Sequence, residues 1–330
     1  MKVGKLNNDE LKNKIIKHLD KNRNDILFRS SVGQDCAAID FGKFACVLST
    51  DPITGAKEEI GKISVNVASN DIATAGIAPI GLMMTILAPS STSIDDLEYI
   101  VKQANDEAQK NNIEIIGGHT EITNAVNQVI ISITAIGKKE KNELLKPKKV
   151  SKEDNLIITK FPGIEGTGIL AFDKSDELSN VLSKKEIKKA KSFLDYTSVI
   201  KEGIISDKVG VKLMHDVTEG GLLGALWEVC TLSKVGCCVK EKNIKINKIT
   251  KKICDFYSID PLKLISSGVM LIVVEKDKTK KLTQKLKKEN IECYNIGQIK
   301  SEDFGKKIKR NNQLDNILSP ESDELYKVLD

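Results

Sequence analysis

Apolar positions along this chain repeat with two periods. Helical spacing predicts an amphipathic helix over 8–19, with Leu11, Ile15, Ile16 and Leu19 on one face. It predicts a second over 93–109, where Leu97, Ile100, Val101, Ala104 and Ala108 form the stripe. Ser93 is placed to cap that helix, and Asp95 and Asp96 fill its first turn. Apolar runs predict strands at 43–49, 81–87, 113–116 and 129–136. The segment 58–75 reads as a helix rich in small residues, opened by Glu58 and Glu59 and stopped by Gly76 and Pro79. Asn66 and Asn70 are four apart and share a face of it. A polar pair on an otherwise apolar helix calls for a partner, and a ligand is one.

The stretch 138–152 is rich in lysine, holds one proline and lacks an apolar period, as a linker would. Beyond it, strands are expected at 155–160, 211–214, 236–239, 269–274 and 292–296. Helices are expected after Gly163, Gly166 and Gly168, and at 182–194, 197–205, 220–232, 262–267 and 279–289. The polar tail beyond Lys300 reads as loosely ordered. Strands and helices mix in both halves, which gives an α+β (mixed α/β) protein of two domains, 1–145 and 146–330.

Composition narrows the function only slightly. The net charge of +5 comes almost wholly from lysine, since Arg23, Arg29 and Arg310 are the only arginines. The lysine clusters have no interleaved aromatics, so they read as solvated faces and not as a nucleic-acid groove. Seven cysteines, an odd number with no Cys-x-x-Cys pair, argue against a disulfide framework or a paired-cysteine zinc site. No apolar run reaches membrane-spanning length and 1–10 has no apolar signal core, so a cytoplasmic protein is expected.

Two polar segments stand out, and they hold two of the three histidines. Gly117-Gly118-His119-Thr120-Glu121 and His215-Asp216-Val217-Thr218-Glu219-Gly220-Gly221 each follow an apolar run that reads as a strand. Asp35, Asp51, Asp71 and Asp216 each sit beside small residues at or near the end of an apolar segment. One such aspartate is ordinarily a turn former or a cap. Four together suit magnesium, which bridges carboxylates to substrate phosphates. His119 is a candidate acid, base or phosphate contact, or else a satisfied structural histidine, and Glu121 and Glu219 are candidate metal or hydroxyl contacts. His215 reads as structural beside the better ligand Asp216. No P-loop occurs, and Gly163-x-x-Gly166-x-Gly168 lacks the dinucleotide spacing.

In order along the chain, Gly33-Gln34-Asp35-x-Ala37-Ala38, Ser49-Thr50-Asp51, Ile60-Gly61-Lys62-x-x-Val65-Asn66 with Asn70-Asp71, Gly76-x-x-Pro79, Gly117 to Glu121, and Asp216 to Leu222 resemble the aminoimidazole ribonucleotide (AIR) synthase superfamily. With Asp260-Pro261-Leu262, the spacing is most similar to its hydrogenase-maturation branch, HypE. The resemblance implies an N-terminal α/β domain that pairs across a homodimer into a β-barrel, a C-terminal α+β domain, and ATP in the groove between them. It implies that Asp35, Asp51, Asp71 and Asp216 hold Mg2+ and the phosphates. Asn66, Asn70, Gly117, Gly118, His119 and Thr120 would line the nucleotide site, with His119 and Glu121 catalytic. The implied chemistry is phosphoryl transfer from ATP to a weak oxygen nucleophile, often an amide, of a small-molecule substrate.

The chain departs from each branch. HypE proteins end in a cysteine that carries the group to be dehydrated, whereas this chain ends Tyr326-Lys327-Val328-Leu329-Asp330 and its last cysteine is Cys293. Thiocyanate formation on its own tail is therefore not expected. A non-catalytic nucleotide-binding scaffold, a thiamine-monophosphate kinase-like enzyme and a selenophosphate synthetase-like enzyme are the alternatives.

Overall fold

The computed structural model describes residues 4–6, 8–19, 23–31, 33–56, 58–144, 149–320 and 322–329. The expected domain boundary at 145/146 lies outside these, as do the middle of the expected linker and Asp330.

The first domain is a six-stranded sheet in the order β1-β2-β3-β6-β4-β5. Its strands are β1 Ile26–Phe28, β2 Ala37–Phe41, β3 Phe44–Ile53, β4 Pro79–Ala88, β5 Glu114–Ile122 and β6 Ile130–Glu140. The second domain is a seven-stranded sheet in the order β13-β12-β9-β11-β7-β10-β8. Here the strands are β7 Asn155–Thr159, β8 Leu213–Val217, β9 Gly236–Lys240, β10 Val269–Val274, β11 Cys293–Lys300, β12 Lys306–Arg310 and β13 Gln313–Asn316. The two-domain α+β expectation holds.

The helix Ile60–Thr74 joins the two halves. Nearly every residue in it is buried, which is why its sequence shows no apolar stripe. Val65, Ile72 and Ala73 share one core with Val199, Ile200, Met214, Met270 and Leu282 of the second domain. Burying each large aliphatic side chain contributes about 1.5–3 kcal/mol. Gly61 lets this helix approach Ile94–Lys110, because a Cβ there would lie 2.3 Å from Ile100 O. The helix Ile94–Lys110 starts at the expected cap, a box closed by Ser93 and Asp96.

Several expectations are corrected. Residues 8–18 form an irregular run of helical turns, and Ile15 and Leu19 are exposed. The segment 262–267 is turn, not helix, and a helix at Lys248–Tyr257 replaces it. Residues 138–140 extend β6 instead of opening a linker, with Lys139 paired to Asp207 at 2.7 Å. The tail beyond Lys300 is built in: β12 pairs with β9 in parallel and with β13 antiparallel. Polar sequence misled there because long-range strand pairing, not an apolar period, orders it.

Candidate functional site

The site forms where β3, the turn before β2, helix Ile60–Thr74 and β8 converge. On β3, strand alternation puts Ser49 and Asp51 on the same face as buried Ala45 and Val47. Asp51 is therefore within the strand, not beyond it. Asp35 follows a tight turn in which Ser31 and Gln34 exchange backbone hydrogen bonds. Gly33 of that turn has φ +79° and packs against Glu228 O. Asp71 lies one turn before the end of its helix, and Asp216 lies in the fully buried β8.

These four carboxylates meet. Burial raises the pKa of Asp71 well above its ordinary value, and the charges of Asp216, Asp51 and Asp35 add to that. Asp216 is pushed up to about 8 by burial and by Asp35. Ser49 Oγ donates a short hydrogen bond to Asp71 and lies 3.1 Å from Asp35 O. Among the described residues, Asp51 Oδ2 and Asp216 Oδ2 are buried without any hydrogen-bond partner. Buried carboxyl oxygens left in that state are costly to ionise unless something positive completes them. Asp35, His215 and Asp216 offer ligand atoms all within 4.8 Å of one another, close enough to hold a metal ion.

His215 bridges two carboxylates. Its Nδ1 lies 2.8 Å from Asp35 Oδ2 and its Nε2 lies 2.9 Å from Glu228 Oε2. Burial opposes charge on the ring, but the two carboxylates outweigh it and hold its pKa well above the ordinary value. Glu228 is likewise opposed by burial, yet His215 and Lys5 hold it down at about 2. Sequence reasoning missed Glu228. Its signal was a lone carboxylate in the apolar run Leu222 to Cys230.

Segments near both ends of the chain, at Lys5 and at Asp323 to Tyr326, close over this side. Lys5 N–H donates to Glu219 Oε2 at 2.9 Å, and Tyr326 OH donates to Glu219 Oε1 at 2.6 Å. Asp323 accepts from the N–H groups of Gly220 at 2.7 Å, Leu325 at 2.8 Å and Ile265 at 3.1 Å. Cys36 is a buried free thiol, and burial pushes its pKa up to about 12, which disfavours the thiolate.

Other expected residues lie elsewhere. Asn66 and Asn70 are fully buried between the domains. Asn70 Nδ2 donates to Thr197 O at 2.8 Å and its Oδ1 accepts from Val199 N at 2.8 Å. Asn66 Nδ2 reaches Glu107 and Thr197, both at 3.0 Å. These contacts give the polar face partners in the second domain and in Glu107, while Asn66 Oδ1 is buried without a hydrogen-bond partner among the described residues.

Gly117, Gly118, His119, Thr120 and Glu121 are strand β5, not a loop, and all are exposed. A Cβ on Gly118 would lie 1.8 Å from Met84 O, so that glycine serves the contact between β5 and β4. Asp51 pairs with Ile133, Ile133 with Met84, and Met84 with Gly118. The segment is thus three strand spacings, about 14 Å, from Asp51. His119 and Glu121 lie 3.4 Å apart but away from the carboxylates of their own chain. Gly166 and Gly168 lie within helix Ile164–Asp173 and make room for Leu264 and Leu194, and Gly163 N–H before it donates to Ser266 Oγ.

Comparison with known proteins agrees with the fold. Residues 33–138 match the N-terminal domain of AIR synthase related proteins, and residues 151–308 match the C-terminal domain. A putative hydrogenase expression/formation protein of Methanocaldococcus jannaschii is 27% identical over 248 residues, covering 74% of this chain and 72% of that protein. The carbamoyl dehydratase HypE of Rhizobium leguminosarum bv. viciae is 26% identical over 254 residues, covering 73% and 69%. Among solved structures, HypE in its complex with HypF superposes with a TM-score of 0.77 at 20% identity, covering 94% of this chain and 99% of that one. HypE in complex with ATP superposes with a TM-score of 0.73 at 20% identity, covering 96% and 95%. No helix among the described residues is long and apolar enough to cross a membrane.

Proposed function

The chain belongs to the AIR synthase related family, and from that premise we propose that it is an ATP- and Mg2+-dependent enzyme that activates a weak oxygen nucleophile by phosphoryl transfer. One observation carries this reading. Carboxylates from both domains converge on one buried site, and Asp51 Oδ2 and Asp216 Oδ2 have no hydrogen-bond partner there among the described residues. Hard anionic oxygens suit magnesium. Asp35, Asp51, Asp71 and Asp216 would hold it. When bound, the ion neutralises charge on the transferring phosphoryl group. The related HypE solved with ATP supports nucleotide as the companion ligand.

The reading includes a homodimer. β5 is an edge strand, and Ile116 and Ile122 on it and Met83 on β4 are exposed. A second copy paired there would cover these side chains and surround His119 and Glu121.

Thermal shift with ATP, with and without Mg2+, tests the core of the proposal. Stabilisation that needs both is expected, and its absence defeats the reading. ADP release against a panel of amides, formylglycinamidine ribonucleotide, thiamine monophosphate and selenide then identifies the acceptor.

A further inference from the structure

We propose that Glu228 and His215 form a positioning pair that fixes the Asp35 carboxylate in the metal site, an inference that rests on the magnesium reading above. The imidazole spans two carboxylates, with Nδ1 2.8 Å from Asp35 Oδ2 and Nε2 2.9 Å from Glu228 Oε2. All three side chains are shielded, those of His215 and Glu228 almost completely, so water cannot substitute for either contact. Each ring nitrogen has one partner, so the ring cannot turn without losing both.

Glu228 is itself held from behind. Its Oε1 accepts from Asn8 Nδ2 at 3.3 Å and from Lys5 Nζ at 3.4 Å, while Oε2 faces the ring. The line Asn8–Glu228–His215–Asp35 therefore runs from the N-terminal segment to the acidic centre. Asp35 sits between the turn and β2, outside any strand or helix, where its own backbone gives little control of the carboxylate. A carboxylate ligand needs such an outer partner to keep its orientation, and losing that partner commonly weakens metal binding 10–100-fold. His215 and Glu228 are positioning residues. They need not touch the nucleotide or the ion.

Three near-isosteric variants separate positioning from packing. Asparagine at 215 can place an amide where Nδ1 stands and keep Asp35. Glutamine there reaches the Nε2 position and keeps only Glu228. Full-length protein is titrated with Mn2+ alone and read by electron paramagnetic resonance, with folding checked by thermal melt. His215→Gln, which loses the Asp35 contact, is expected to weaken Mn2+ binding about tenfold or more, and His215→Asn and Glu228→Gln, which keep it, by no more than about threefold. A packing role would lower the melting temperature of all three variants and leave the affinity of the folded protein unchanged. A folded His215→Gln protein that binds Mn2+ as the wild type does would overturn the proposal. So would wild-type protein that binds no Mn2+. Wild type that binds Mn2+ but gains no stability from Mg2+ with ATP defeats the nucleotide reading and leaves the positioning pair in place.

Discussion

Asp51 on β3 and Asp216 on β8 come from different domains, yet each ends in a buried oxygen without a hydrogen-bond partner among the described residues. Burial raises the pKa of Asp216 to about 8, with neighbouring Asp35 and Asp51 adding to the effect. Like charges held this closely oppose folding until a cation joins them. Asp51→Asn and Asp216→Asn are therefore expected to stabilise the metal-free protein by about 1–2 kcal/mol. The same variants should lose the stabilisation by Mg2+ with ATP, about 2.7 kcal/mol at a hundredfold excess over Kd. Melting curves with and without both ligands check each half. A variant less stable than wild type without ligand would show that these oxygens have partners after all.

Glu165 gives the protein a pH dependence separate from the acidic centre. It is buried, its Oε2 accepts from Ser267 N at 3.2 Å, and burial raises its pKa to about 7. Asp323 is likewise raised to about 7 by burial. In both cases the folded state binds the proton more tightly than the unfolded chain does. Their contribution is complete below about pH 4 and is lost as pH rises through 7. Glu165→Gln keeps an acceptor for Ser267 N and removes the titration. It should raise stability at pH 8 by on the order of 2 kcal/mol and flatten the fall between pH 4 and 7. Urea unfolding at several pH values measures both effects.

Asn70 is expected to behave as an interdomain clamp. Removing its amide in Asn70→Ala strands Thr197 O and Val199 N in a dry interface. That should cost about 2–4 kcal/mol. The stabilisation by Mg2+ with ATP should persist in the variant below its lowered melting temperature. Selective loss of the ligand response with unchanged stability would instead return Asn70 to the nucleotide site.

The four aspartates were legible because each breaks an apolar run beside small residues, a pattern that burial alone does not produce. Their convergence was not legible from spacing, since Asp35 and Asp216 are brought together by packing between domains. Asn66 and Asn70 were correctly singled out on an apolar helix, but sequence cannot say whether a polar face meets a ligand or another domain. The Gly117-Gly118 pair shows the same ambiguity. Glycine marks close approach, and here what approaches Gly118 is the β4 backbone. The contacts of His215 were not legible, because one of them is to Glu228, thirteen residues away on a helix that otherwise reads as core.

The link between Tyr326 and Glu219 fastens the C-terminal segment beside the site. Tyr326 OH donates to Glu219 Oε1 at 2.6 Å, while the other oxygen of Glu219 accepts from Lys5 N. Glu219 thus ties both ends of the chain to the turn before helix Gly221–Ser233. Tyr326→Phe removes one hydroxyl and leaves the ring packed against Gly4. It should cost about 1–1.5 kcal/mol. Little of that should appear as global unfolding, because local opening of a terminal segment requires only its own contacts to break. Hydrogen exchange across 322–329 is expected to quicken by about tenfold, and exchange in β8 and β10 to stay at wild-type rates. Equal acceleration throughout the second domain would mean that the segment is part of the core and not a strap over it.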